Sequence, residues 1–251
     1  MVSLHNDWIV PDWPAARPVK AIITTRRGGV STGTYASMNL GDAVGDDAER
    51  VAENRRRLEA SLPSPPKWLR QIHGNTVVCA KTIDQPVEAD ASTTTRPDTV
   101  CAIMAADCLP VLLCDRTGSV VAAAHAGWRG LSSGVIENTV NAMGCAGNEL
   151  MAYLGPAIGP TAFEVGEDVR AAFLSHDMRA GSAFRQHRKG KWFADLFSLA
   201  RQRLHATGVS AVYGGTHCTY TDPERFFSHR RDGVSGRMAA LIWLDGSVSP
   251  A

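Results

Sequence analysis

Val120-Val121-Ala122-Ala123-Ala124-His125-Ala126-Gly127-Trp128-Arg129-Gly130 is the stretch whose reading decides the fold. An apolar run stops abruptly at an ionisable residue, and the run reads as a buried strand. Beyond it, Gly127 and Gly130 bracket Trp128 and Arg129, so the strand opens into a turn. Such an arrangement presents a reactive side chain from a rigid support. Upstream, Val111 to Cys114 is a second apolar run, and Asp115-Arg116-Thr117-Gly118 reads as the turn between the two. The pair forms a hairpin that sets the Cys108 segment beside the His125 strand. Pro110 cannot donate to a ladder, so the chain is read as interrupted beside Cys108.

Outward from the hairpin, short apolar or β-branched runs predict strands at 20–25, 76–79, 100–105, 151–154, 211–213 and 239–244. Helical spacing predicts helices at 133–143, 166–174 and 195–206, the first and last stopped by Gly144 and Gly208. A further helix opens at Asp46, with Glu49 completing a capping box, and ends before Pro63. Residues 84–98, with Glu88 and Asp90 among their carboxylates, read as loop. The expected fold is α/β (α+β): a single domain over residues 1–251 with a mixed β-sheet, and with residues 1–18 as an extended N-terminal arm. The hairpin argues against a purely parallel sheet.

Composition excludes several classes of function. The chain has 251 residues, 44% hydrophobic and 20% charged, with a formal net charge of +1. That permits a sizeable core, and no charge block is long enough for a nucleic-acid arm. Arg55-Arg56-Arg57 lies in a helical pattern and reads as a solvated helix face. No secretory signal is visible, and no apolar run approaches the roughly 20 residues that span a bilayer. A cytoplasmic protein without membrane or nucleic-acid partners is expected. The six cysteines form no CxxC pair, so they are expected to be thiols.

His73, Cys108 and His125 share one context, each lying where a strand meets a Gly- or Pro-marked turn. Their separations fit neighbouring strands rather than one helix face. Two imidazoles and a thiolate suit Zn²⁺ and leave one position for water or substrate. Without metal, the same trio is a Cys nucleophile with a His base. Asp107 reads equally as an imidazole partner or a turn acceptor, and Arg129 as an anion clamp. His217, Cys218 and His229 are reserve ligands. A chain with eight histidines and no His-x-His pair fits a multicopper centre poorly, although the trio would also take a single copper.

QIHG at Gln71 to Gly74, ADCLPVLL at Ala106 to Leu113 and HAGWRG at His125 to Gly130 resemble the three signature motifs of the peptidoglycan-editing-factor family. That family is also called multicopper polyphenol oxidase or laccase-like. WIVPDWP, TTRRGGVS, SMNLG, VGDD, LGPAIGP, FEVGEDV and FFSHRRDGVSGR extend the resemblance nearly end to end. The resemblance implies a mixed β-sheet sandwich with flanking helices, related in site geometry to bacterial toxin cysteine hydrolases. It implies that His73, Cys108 and His125 are the zinc and catalytic residues. It also implies purine nucleoside phosphorolysis of adenosine, inosine, guanosine or methylthioadenosine, with adenosine deamination, by a monomer. Arg26, Asn39 and Arg129 match motif positions and are expected at substrate or phosphate. The alternatives are a Cys108-dependent hydrolase or amidase acting on a cell-wall precursor, a copper polyphenol oxidase, and a partner protein with a structural metal. Two positions depart from the family pattern: Ala43 stands where many relatives carry His, and His229 where Tyr is common.

Overall fold

The computed structural model describes residues 7–248, so residues 1–6 of the expected N-terminal arm lie outside the described residues. Its centre is a six-stranded mixed sheet in the order β11-β7-β5-β6-β3-β2. These strands are β2 (Val77–Cys79), β3 (Ala91–Thr94), β5 (Leu109–Asp115), β6 (Val121–Ala126), β7 (Leu150–Leu154) and β11 (Ala211–Gly214). The β5–β6 hairpin is antiparallel, with Leu112 opposite Ala123 and Pro110 opposite His125. Only the outer pairs, β2 with β3 and β11 with β7, are parallel.

Alternation along β5 and β6 builds two cores. Leu109, Val111, Leu113, Ala122 and Ala124 pack towards helices α3 (Val135–Met143) and α5 (Leu196–Ala206). Leu112, Cys114, Val121 and Ala123 face a second, three-stranded sheet ordered β1-β12-β4. That sheet comprises β1 (Val19–Ile23), β4 (Cys101–Ala105) and β12 (Met238–Leu244), and its outer face carries α1 (Ala48–Glu59) through Leu58. The layers therefore run helix, sheet, sheet, helix, and each buried Leu or Val contributes about 1.5–3 kcal/mol. A third sheet of β8 (Glu164–Gly166), β10 (Lys191–Ala194) and β9 (Phe184–Arg188), with α4 (Glu167–Leu174), flanks the helical layer. The remaining helices, α2 (Trp128–Ser132) and α6 (His229–Asp232), are short. No helix among the described residues is long and apolar enough to cross a membrane.

The mixed α/β sandwich with flanking helices is as expected, with local corrections. Pro110 does not interrupt the chain; it is the second residue of β5, where a missing donor is tolerated, and its carbonyl accepts from Gly155 N at 2.9 Å. The break falls one residue before Cys108, at Asp107, whose φ is +88°. Residues 84–98 are not all loop, because β3 lies within them and pairs with β6. The N-cap of α1 is Asp47, which accepts from the amides of Glu49 and Arg50. Asp46 instead accepts from Ser31 Oγ and Asn39 Nδ2. Gly127 is not in an open turn but caps α2, whose first residue is Trp128. The β9 and β10 strands lie in a segment where the sequence pattern gave no strand.

Candidate active site

The side chains of His73, Cys108 and His125 come together in one cluster. Their ligand atoms all lie within 4.8 Å of one another, and the two imidazole rings sit edge to face with centroids 4.8 Å apart. Each arrives by a different route. His125 is carried by β6, and its place in the alternation turns it away from the helix layer. Cys108 directly precedes β5, after the left-handed residue Asp107. His73 lies in the loop before β2 with φ +60°, a conformation that must be held by its surroundings.

Asp90 provides that hold. Its buried carboxylate accepts from the amides of Ile72 at 3.2 Å, His73 at 2.9 Å and Gly74 at 2.6 Å. It also bonds His125 Nδ1 at 2.8 Å. Burial raises the Asp90 carboxyl, but the bonds to His125, Gly74 and Ile72 outweigh it and keep the group below its ordinary range. Gln71 secures the other end of the loop by copying a strand: Nε2 donates to Met104 O, and Oε1 accepts from Met104 N, each at 2.7 Å. Glycine at 127 leaves room for the trio, because a Cβ there would lie 2.9 Å from Cys108 Sγ and 3.2 Å from His73 Cδ2.

The electrostatics favour a charge-separated pair. Burial opposes the Cys108 thiolate, yet the imidazoles of His125 and His73 bring the thiol below its ordinary value. Burial likewise opposes the His125 imidazolium, and the charges of Cys108 and Asp90 raise it above its ordinary value. A low thiol pKa beside a held imidazole is the condition for either nucleophilic or ligating sulfur.

The trio opens on a cavity of about 680 Å³. Trp68, Met104, Arg55 and Arg237 form part of its wall, as do Ala43 and His229, the two positions that depart from the family pattern. Arg55 is therefore not part of a solvated face: it lies over the Trp68 ring at 4.8 Å and pairs with Asp42 at 3.2 Å. Its neighbours Arg56 and Arg57 do stay at the surface, paired to Glu53.

Arg26, Asn39 and Arg129 are not brought to this cavity wall. Arg26 donates to the carbonyls of Ala36 and Pro223, and Arg129 stacks on Trp128. Asn39 is buried in a clasp with Gly41, Asp46 and Arg237. Asp107 serves no imidazole; it accepts from Thr219 Oγ1 and Arg230 N, each at 2.6 Å. Cys218 Sγ accepts from Gly159 N, and His217 packs on Phe226, so neither joins the trio. The sequence reading missed Asp90 as the partner of His125 and Arg237 as a wall residue. The available signal for Asp90 was its position just ahead of the Thr-rich strand β3.

A family model described as multi-copper polyphenol oxidoreductase laccase matches residues 20–245. A Pseudomonas aeruginosa protein named purine nucleoside phosphorylase is 53% identical over 240 residues, covering 95% of this chain and 99% of its own. The Escherichia coli protein named purine nucleoside phosphorylase YfiH is 54% identical over 241 residues, covering 94% and 98%. The crystal structure of Neisseria meningitidis protein NMB0706 superposes with a TM-score of 0.95 at 52% identity, covering 96% of this chain and 100% of that one.

Proposed function

The chain belongs to the multi-copper polyphenol oxidoreductase laccase family, and on that premise we propose that it is a zinc-dependent purine nucleoside phosphorylase acting in the cytoplasm. The observation that carries this reading is the convergence of His73, Cys108 and His125 at the floor of a cavity whose wall holds arginines and an aromatic ring. Relatives named purine nucleoside phosphorylase at 53% and 54% identity support it.

The donor set fits zinc. Two imidazoles and a thiolate are common zinc ligands, and Asp90 on Nδ1 of His125 is the kind of outer carboxylate that orients a ligating histidine, leaving Nε2 to bind. Held by His73, Cys108 and His125, the ion would supply Lewis acidity at the cavity floor. The same donors take copper at least as strongly, so metal content is to be measured on protein purified without chelator.

In phosphorolysis the glycosidic C–N bond breaks and a bond forms between the sugar C1′ and a phosphate oxygen. The electron pair leaves with the base, and the proton of hydrogen phosphate ends on it. This chain contributes binding and orientation. Trp68 and Met104 offer an apolar wall to a flat purine, and the arginines give the wall its positive charge. Adenosine, inosine, guanosine and methylthioadenosine all present the bond to be broken. Deamination of adenosine at the same trio would take water and release ammonia.

A second reading has an observation of its own: Asp90, His125 and Cys108 stand in series, as in a thiol hydrolase. Base release from inosine, measured with phosphate supplied and withheld, separates the two. Phosphorolysis gives hypoxanthine only with phosphate; release without phosphate overturns it.

A further inference from the structure

Arg237 is a partly buried arginine on the cavity wall with no carboxylate partner among the described residues. Its side chain makes three hydrogen bonds, all through Nη1: to Ser235 O at 2.7 Å, Ser235 Oγ at 3.2 Å and Gly236 O at 3.0 Å. Among the described residues no carboxylate pairs with it, and Nε and Nη2 donate to nothing. Of the other two arginines that line the cavity, Arg55 is committed to Asp42 and to Leu40 O, and Arg70 lies 3.7 Å from Glu88. A part-buried guanidinium on the cavity wall, with two nitrogens that no described protein group accepts from, keeps those donors open to an anion in the cavity.

The backbone is built to deliver that side chain. Asn39 Oδ1 accepts from Arg237 N at 2.9 Å, and Arg237 O accepts from Leu40 N at 3.1 Å. The 39–41 turn and the 235–237 turn are thus zipped together across nearly the whole length of the chain. Gly41 lets the Arg237 stem lie against it, since a Cβ there would meet Arg237 Cγ at 2.8 Å. Arg237 lines the same cavity as Cys108, His73 and His125. Asp107, next to Cys108 in sequence, is occupied by Thr219 and the Arg230 amide.

From this arrangement we infer that Arg237 binds the phosphate nucleophile, its unengaged Nε and Nη2 forming the fork that grips a tetrahedral oxyanion. The inference rests on the phosphorolysis reading and deepens it. It moves the anion contact from Arg26 and Arg129 to a residue 237 positions along the chain. Asn39 then acts on phosphate through Arg237 rather than by touching it.

The test uses the metal-loaded full chain and two variants, Arg237→Gln and Arg237→Lys. Inorganic phosphate alone is titrated by calorimetry, and the KM for phosphate is measured separately from the KM for inosine. Arg237→Gln is expected to weaken phosphate binding and raise the phosphate KM about tenfold to a hundredfold, with the inosine KM changed less than about twofold. Arg237→Lys, which keeps the charge but loses the fork, recovers part of the loss and guards against a fold defect in the Gln variant. An unchanged phosphate KM in both variants overturns the assignment while leaving phosphorolysis standing. Arg237-dependent phosphate binding in a protein that releases no base supports the assignment and overturns phosphorolysis instead. Arg237-dependent binding of a nucleoside monophosphate, with none of inorganic phosphate, also overturns it.

Discussion

Asp90 and His125 are joined twice. The Asp90 carboxylate lies 2.8 Å from His125 Nδ1, and the Asp90 carbonyl accepts the His125 amide at 2.7 Å. One residue therefore sets both the position and the ring orientation of the other. Because the same carboxylate holds three amides of the 72–74 loop, it also sets where His73 can be.

Asp90→Asn is expected to keep much of the loop in place while losing the charge behind His125. Metal affinity and kcat/KM should each fall about 10–100-fold. Zinc content after dialysis and steady-state kinetics provide the check. Unchanged values would mean that Asp90 only ties the loop.

Gly127→Ala probes the crowding at the trio. The new methyl would press on Cys108 and His73, and a misplacement of about 1 Å costs on the order of a hundredfold in rate. Activity and metal content should drop together, while the melting temperature changes little. A variant with full activity would show that the trio can spread without consequence.

Asp115 supplies the pH prediction. Its carboxylate closes the β5–β6 hairpin by accepting from Thr117 Oγ1, Ser119 N and Oγ, and Val120 N. Burial raises its pKa, but these bonds bring it below the ordinary carboxylate value. The unfolded chain therefore binds the proton more tightly. The stabilisation is present above the ordinary pKa near 3.8 and is lost as pH falls through the lower folded value. Asp115→Asn should lose about 1–3 kcal/mol at neutral pH. Its stability should also vary less than that of the parent below about pH 4, as measured by denaturant midpoints across pH.

Leu112→Ala tests the sheet-on-sheet core. Leu112 is fully buried in β5, facing the three-stranded sheet, and the truncation should cost about 2–5 kcal/mol. Urea unfolding measures it. A loss under about 1 kcal/mol would contradict the packing described.

The parts legible in the sequence are those whose signals are local. The β5–β6 hairpin was visible because two apolar runs flank a turn, and the trio because each member punctuates a strand or a turn. β3 was hidden because Ala91-Ser92-Thr93-Thr94 is buried with small and hydroxyl side chains rather than apolar ones. Its strand character comes from the ladder with β6, and Asp90 was hidden with it. β9 escaped because Arg185-Gln186-His187-Arg188 is exposed and charged. Arg237 closes the FFSHRRDGVSGR match, but nothing local marked it as a wall residue, for the residue that fixes its backbone, Asn39, lies 198 positions away. The capping box was misplaced by one residue because Asp46 and Asp47 are both good caps and only tertiary bonding separates them.

The central claim is that the trio at the cavity floor joins phosphate to the sugar of a purine nucleoside. Following inosine and inorganic phosphate by ³¹P NMR in the presence of the metal-loaded protein tests it most directly. The account predicts a sugar-1-phosphate resonance growing in step with free hypoxanthine, and no such resonance with Cys108→Ala. Hypoxanthine released together with free ribose and no phosphate ester, or an undiminished ester signal from Cys108→Ala, would contradict it.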